Sequence, residues 1–144
     1  MLIRFITVGK VRDPHLAALC GEMLKRIRFD AKVEIREIKD SGRNTDNRRI
    51  CDMLARERGF IIALSEEGRC LGSVEFAEKI GSVHRKLVFV VGGPLGIDAA
   101  VKSRADLVLS LSPMTFTHEM ARYLLYEQVF RAITINKGRS YHNA

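Results

Sequence analysis

The sequence predicts an α/β fold, a mainly parallel sheet with helices on both faces. Three observations predict it. Strand-sized apolar runs alternate along the chain with stretches whose apolar residues recur at helical spacing. The run Leu87-Val88-Phe89-Val90-Val91 is apolar at every position, which suits a strand covered on both faces. The turn Gly92-Gly93-Pro94-Leu95-Gly96 follows that run directly. In open α/β sheets ligands gather at the carboxyl ends of strands, where such turns lie.

Each element has its own signal. Leu2 to Val8 reads as the first strand. Asp13-Pro14 then marks a helix start, with aspartate as N-cap and proline at the first position. Leu16, Leu19, Cys20, Met23, Leu24 and Ile27 follow at helical spacing. Val33 and Ile35 alternate with charges in a second, less buried strand. A polar linker, Asp40 to Asp46, leads to a helix with Ile50, Met53 and Leu54 on one side and Gly59 as its stop. Phe60 to Leu64 is a short buried strand. Ser73 starts a helix bearing Val74, Phe76, Ala77 and Ile80. Leu87 to Val91 and Leu107 to Leu111 complete the strands, with a short helix between them. The last helix spans about Thr117 to Asn136. Its apolar residues, from Met120 to Ile133, cover much of its circumference. A helix apolar on more than one face needs more than one apolar partner. The sheet supplies one, and a second copy of the chain supplies the other, so a homodimer is expected.

Composition bounds the class. The chain has 144 residues and 47% hydrophobic residues, enough for one domain over residues 1–144 with a real core. The longest apolar runs are strand-sized, so no transmembrane helix is expected. Met1-Leu2-Ile3-Arg4-Phe5 lacks the plan of a signal peptide. Cys20, Cys51 and Cys70 form no Cys-x-x-Cys pair, which predicts reduced structural thiols and a cytoplasmic protein. His15, His84, His118 and His142 lack metal-ligand spacing, so no metal site is expected. Lysine plus arginine number 24 against 17 aspartates plus glutamates, for a net charge of +7. That surplus suits a polyanion such as RNA, although solubility alone selects for it in many proteins. Arg43, Arg48, Arg49, Arg56 and Arg58 lie close together, and Lys137 and Arg139 precede Tyr141. Charge at both places would suit a phosphate backbone.

Chemistry concentrates in two loops, the Gly-rich turn and Leu111-Ser112-Pro113-Met114-Thr115-Phe116-Thr117. Glycine lets a backbone approach a ligand closely, and proline stiffens each loop. Neither Gly-x-x-x-x-Gly-Lys-Ser/Thr nor Gly-x-Gly-x-x-Gly is present, which disfavours a nucleoside triphosphate or a dinucleotide. Alone, Gly-Gly-Pro-x-Gly is equally an ordinary βα turn.

The longer pattern is more specific. It comprises Val90-Val91-Gly92-Gly93-Pro94-Leu95-Gly96, Ser110-Leu111-Ser112-Pro113-Met114-Thr115, His118-x-x-x-Arg122-x-x-Leu125-x-Glu127-Gln128-Val129-x-Arg131-Ala132, and Tyr141-His142. Upstream it extends to Gly9-Lys10, Lys25-Arg26, Leu64, Gly68 and Phe76-Ala77. Over essentially its whole length the chain resembles the SPOUT methyltransferases, in particular the RlmH family, which methylates a pseudouridine of large-subunit ribosomal RNA. The resemblance implies a carboxyl-terminal trefoil knot, a homodimer with the last helix in its interface, and S-adenosyl-L-methionine as cofactor. The cofactor pocket it implies is lined by Leu64, by Gly92 and Gly93, and by Leu111, Ser112, Pro113, Met114, Thr115 and Phe116. Leu64, Leu111 and Met114 would sandwich the adenine, though by composition each is equally a core residue.

The implied reaction is methylation of N3 of a pseudouridine in helix 69 of 23S ribosomal RNA, on the assembled ribosome. N3 is an imide N–H and must lose its proton to become nucleophilic. His142 suits a base by type, because imidazole exchanges protons near neutral pH. Tyr141 could stack on or hydrogen-bond the target base. Arg122 could hold a phosphate or the imidate oxygen. His118 and Arg122 are also spaced as a capping or solvated helical pair, and Glu127 and Arg131 as a structural ion pair or a dimer contact. Two positions depart from the family pattern. Ser65 stands where aspartate is common, and Asn143-Ala144 end the chain where arginine or lysine is usual. The alternative function is a noncatalytic basic RNA- or ribosome-binding protein of the same fold. The two differ in whether the cofactor pocket is intact. A small-molecule methyltransferase is a third reading, which the net charge disfavours.

Overall fold

The computed structural model describes residues 1–143, so Ala144 lies outside the described residues. The elements run β1 (Leu2–Val8), α1 (Pro14–Asp30), β2 (Lys32–Ile38), α2 (Arg43–Ala55), β3 (Phe60–Cys70), α3 (Ser73–Gly81), β4 (Leu87–Val91), α4 (Ala99–Ser103), β5 (Leu107–Ser110) and α5 (His118–Asn136). The five strands form one sheet in the order β2-β1-β4-β3-β5. Every pairing in it is parallel. β4 is central, which explains why all five of its residues are buried. β2 is an edge strand, and none of its residues is fully buried.

The strands show a two-residue period across two cores. Ile3, Phe5, Ile62, Leu87 and Phe89 point to one face, where α1, α3 and α5 cover them. Ile6, Val8, Ile61, Val88 and Val90 point to the other, covered by α2 and α4. On the first face Phe5 stacks on Phe89 with ring centroids 5.4 Å apart, and Tyr126 of α5 meets Phe5 edge-on at 4.8 Å. Burial pushes the Tyr126 phenol far above the ordinary tyrosine range.

Helix starts follow the expected chemistry. Asp13 caps α1 by accepting from His15 N at 2.8 Å and Leu16 N at 3.2 Å, with Pro14 in the first turn. Thr117 caps α5 by accepting from Met120 N at 3.2 Å.

Three local expectations change. α2 begins at Arg43, inside the stretch read as a linker, because Asp46 and Asn47 are buried polar residues of its first turns. It ends at Ala55, before Gly59. Gly59 serves close packing instead, since a Cβ there would stand 2.6 Å from Lys86 O. β3 continues past Leu64 to Cys70 through an irregularity, where Leu64 and Arg69 both pair with Leu109. α5 finds much of its apolar cover within the chain, between α1, α3 and the sheet. Met120, Leu124 and Tyr123 remain at least partly exposed on it, and Leu19 of α1 is 46% exposed.

A charge cluster closes the opposite end of the sheet. The Glu57 side chain is 3% exposed, and its carboxylate accepts from Arg4 at 3.0 Å, Lys86 at 2.8 Å and Gly59 N at 3.0 Å. Burial alone would raise its pKa. The Lys86 and Arg4 cations and the Gly59 N–H more than offset that and hold it below the ordinary glutamate value. Its contribution to stability is therefore in full force above the unfolded value of about 4.3 and is lost as pH falls through the lower folded value. Glu57→Gln is expected to destabilise the fold by about 2 kcal/mol at neutral pH, with the deficit shrinking under acid. Urea titrations of both proteins from neutral to acidic pH check this, and parallel curves at all pH values would refute it.

Candidate active site

The irregular middle of β3 and the loops that leave the carboxyl ends of β4 and β5 enclose one cavity of about 330 Å³. The size suits a small organic ligand. Leu64, Gly92 and Gly93 form one part of its wall, and Leu111, Ser112, Met114, Thr115 and Phe116 form another. Pro113, grouped with them in the sequence reading, is an exposed loop residue outside that lining.

Local chemistry shapes each wall. The side chain of Ser110 donates to Ser112 O at 2.9 Å, and Ser112 Oγ accepts from Met114 N at 3.0 Å. These bonds curl the loop after β5 so that Met114 and Phe116 stay exposed at the rim, 75% and 40% respectively. Exposed apolar groups at a cavity rim invite a flat apolar ligand. Gly92 is buried, and a Cβ there would lie 2.8 Å from Gly96 C and 3.0 Å from Ile97 Cγ2. The turn can fold back on itself only with glycine at that point.

The sequence reading missed the irregular stretch of β3. Ser65, Glu66 and Glu67 bulge over the cavity. Glu66 accepts a hydrogen bond from the Thr115 hydroxyl, which ties the bulge to the loop after β5. Glu67 pairs with Lys102 of α4 at 2.7 Å, and that contact holds its carboxyl below the usual range. Ser65 lacks the charge of the aspartate common in the resembled family, but its two neighbours bring negative charge to the same wall. The signal was available in the adjacent acids before Gly68. Arg43 of α2 and Lys102 also reach the lining, so the cavity carries both signs of charge. His118 and Ala121 of α5 complete it.

Arg122 is a correction. Its side chain is 4% exposed and does not reach the cavity. It donates to Val8 O and Gly9 O, each at 2.9 Å, and lies 3.7 Å from Glu37. A guanidinium buried on two carbonyls anchors the end of β1 to α5 and cannot hold an RNA phosphate or an imidate oxygen. The charge expected near the tail is also engaged. Lys137 and Arg139 both pair with Asp30, whose carboxyl they hold below its usual pKa, the Arg139 hydrogen bond first.

Tyr141 and His142 lie against the second half of α5, away from the cavity of the same chain. Tyr141 donates to Glu127 Oε1 at 3.0 Å and packs edge-on against Phe130, with Arg131 over its ring. Burial and the Glu127 carboxylate raise its pKa, so the phenol stays protonated and able to donate. Glu127 and Arg131 form an ion pair. The Arg131 guanidinium lies 3.1 Å from His142 Nδ1. Arginine only donates, so Nδ1 is the acceptor and the proton of the neutral ring sits on Nε2. His142 therefore has no free acceptor nitrogen in this arrangement. At 1.5 Å per residue, Glu127 to Arg131 stand about 14 to 20 Å along α5 from His118.

The model for the family described as "Predicted SPOUT methyltransferase" matches residues 1–142. The chain is 41% identical over 155 residues to the ribosomal RNA large subunit methyltransferase H of Trichlorobacter lovleyi, covering 99% of this chain and 100% of that protein. Its fold is similar to that of a probable methylase family protein from Haemophilus influenzae, with a TM-score of 0.60, 12% identity, and coverage of 99% of this chain and 70% of the other. It is similar also to a Legionella pneumophila protein described as a methyltransferase and solved with the bound cofactor SAM, with a TM-score of 0.54, 11% identity, and coverage of 92% and 66%. A family match over nearly the whole length, joined to a parallel sheet whose loops enclose a cavity at its carboxyl edge, places this chain in the SPOUT methyltransferase family.

Proposed function

We propose that this protein transfers a methyl group from S-adenosyl-L-methionine to N3 of a pseudouridine in helix 69 of 23S ribosomal RNA, on the assembled ribosome and as a homodimer. The observation that carries the reading is the cavity shared by the β3 bulge and the loops after β4 and β5, in a chain closely similar to a large-subunit ribosomal RNA methyltransferase.

The residues present fit the cofactor. Leu64, Leu111, Met114 and Phe116 supply apolar walls for an adenine, and the Gly92 backbone has no side chain to hold a ligand off. Glu66 and Glu67 bring negative charge to the lining, where it faces the positive charge of Arg43 and of Lys102, the partner of Glu67. Bound there, S-adenosyl-L-methionine supplies a sulfonium-activated methyl group. The protein's task is then alignment and removal of the N3 proton. His142 is the proposed base and Tyr141 the proposed hydrogen-bond donor to the target ring.

Their distance from the cavity of their own chain is what a homodimer resolves. An isologous contact through the Met120 and Leu124 face of α5, with the two helices antiparallel, would carry the tail of a second copy toward this cavity. Docking there would also have to release His142 from Arg131, freeing a nitrogen to accept the proton. The basic surplus then serves the RNA phosphates.

The test is calorimetric titration of the purified protein with S-adenosyl-L-methionine, with NAD and ATP as controls, followed by methylation assays on unmethylated ribosomes and on free RNA. Saturable binding of S-adenosyl-L-methionine alone and methylation of ribosomes are the expected outcome. Ribosome binding without cofactor binding or methylation would favour the noncatalytic RNA-binding alternative.

A further inference from the structure

The Gly-rich turn has open space on both sides. In front of it lies the cavity of about 330 Å³. Behind it, between the turn and α2, lies a second cavity of about 210 Å³. Leu95 at its tip is 74% exposed. Packing fixes the base of the turn, where Gly92 is buried beside Ile97, and does little for the exposed stretch Pro94 to Gly96, because a wall that borders empty space loses its dispersion contacts on that side.

Hydrogen bonds hold it instead. Within the turn Gly96 N donates to Gly93 O at 2.9 Å. The side-chain tethers come from the start of α2. Asn47 is 2% exposed. Its amide nitrogen donates to Arg43 O at 2.8 Å and to Gly96 O at 3.3 Å, and its Oδ1 accepts from Asp98 N at 2.9 Å. Arg43 donates from Nε to Leu95 O at 3.2 Å and from a terminal nitrogen to Ile97 O at 3.5 Å. One buried amide thus grips the chain at Gly96 and Asp98, and one guanidinium grips it at Leu95 and Ile97. Asp98 in turn caps α4 through Val101 N at 3.0 Å.

We propose that Asn47, assisted by Arg43, is the positioning residue of the Gly-rich turn, setting how closely the Gly92–Gly96 backbone approaches the cavity and hence how tightly the methyl donor binds. The nature of the ligand rests on the function proposed above; the clamp itself rests on the geometry. Asparagine suits the task because one planar group offers a donor and an acceptor. Aspartate would keep the acceptor for Asp98 N but set a carboxylate against Gly96 O and Arg43 O. Alanine would supply neither.

The variants Asn47→Ala, Asn47→Asp and Arg43→Ala test this beside Leu54→Val, which loosens packing in the same helix away from the turn. Amide hydrogen exchange of residues 93–98 in the ligand-free protein reads the clamp. Calorimetric titration with S-adenosyl-L-methionine reads its consequence. Loss of the Asn47 bonds is expected to speed exchange of the turn relative to β4 and to weaken binding, each on the order of tenfold. Arg43→Ala gives a smaller change in the same direction, and Leu54→Val lowers the melting temperature without either effect. With ribosomes as substrate, the Asn47 variants should show a raised KM for the methyl donor and a preserved kcat, whereas a merely structural role lowers the active fraction at unchanged KM. Wild-type exchange and affinity in the Asn47 and Arg43 variants, or equal changes in Leu54→Val, would overturn the proposal. Arg43 is exposed but also lines the cavity, so hydrogen exchange of the turn in its variant, rather than affinity, decides the matter if Asn47→Ala fails to fold. Failure of the wild-type protein to bind S-adenosyl-L-methionine would sink the proposed function, while the exchange data would still decide the clamp.

Discussion

Gly92→Val is expected to abolish binding of S-adenosyl-L-methionine while the protein still folds. A Cβ at that position stands 2.8 Å from Gly96 C, 3.0 Å from Ile97 Cγ2 and 3.1 Å from Gly96 O. Two of those atoms are backbone, so the conflict is relieved only by moving the turn. The second cavity behind the turn gives it somewhere to go, which spares the core. A misplacement of about 1 Å costs on the order of a hundredfold in rate at a reacting centre, and a loss of affinity of at least that order is expected when valine moves the turn. Calorimetry reads the affinity, and circular dichroism with sedimentation reads fold and assembly. Gly92→Ala should show a weaker form of the same loss, because its single methyl meets the same backbone. Binding by Gly92→Val at wild-type strength would remove the turn from the pocket.

His142→Ala is expected to lower the rate of methyl transfer by about 10² to 10⁴, the usual range for loss of a positioned base, with cofactor affinity nearly unchanged. Its side chain lies against Arg131, not against the cavity wall of its own chain. Its loss should therefore leave the pocket intact. Tyr141→Phe keeps the ring packed on Phe130 and removes only the hydroxyl that donates to Glu127. It should reduce turnover less than His142→Ala does. Single-turnover assays with saturating cofactor separate the two effects. Mixing His142→Ala subunits with subunits carrying Gly92→Val gives a sharper test. If each site joins the pocket of one copy to the tail of another, the mixed dimer holds one intact site and regains activity. No recovery in verified mixed dimers would count against a shared site, and full activity of His142→Ala alone would remove that residue from the mechanism.

Much of the fold was legible in local pattern. The all-apolar run of β4, the Asp13-Pro14 start of α1 and the Ser73 start of α3 all lie within a few residues of the atoms they organise. The loops after β4 and β5 were legible for the same reason. Glycine, proline and serine shape the backbone where they stand. Residues whose partners lie far along the chain were not legible. The resemblance assigned Arg122 to the substrate, and its spacing from His118 suited a capping or solvated pair, yet its partners are Val8 and Gly9, 114 and 113 residues away. Asp46 read as the end of the polar linker because polar side chains are usually exposed, and nothing marked Asn47 beside it as buried. They are buried at 4% and 2%, with Asn47 holding a turn some fifty residues on.

By itself the sequence determined the alternation of strands and helices, the parallel sheet, the surplus of positive charge and the two loops that carry the chemistry. These depend on side-chain periodicity and on the conformational limits of single residues, which act over a turn of helix or a few residues of strand. The tertiary structure alone decided the strand order, the Glu66–Glu67 bulge over the cavity, the burial of Arg122 and the separation of Tyr141 and His142 from the pocket of their own chain. Each follows from contacts between segments distant in sequence. What an arginine or a histidine can do depends on which partners reach its nitrogen atoms, and the packed chain sets that.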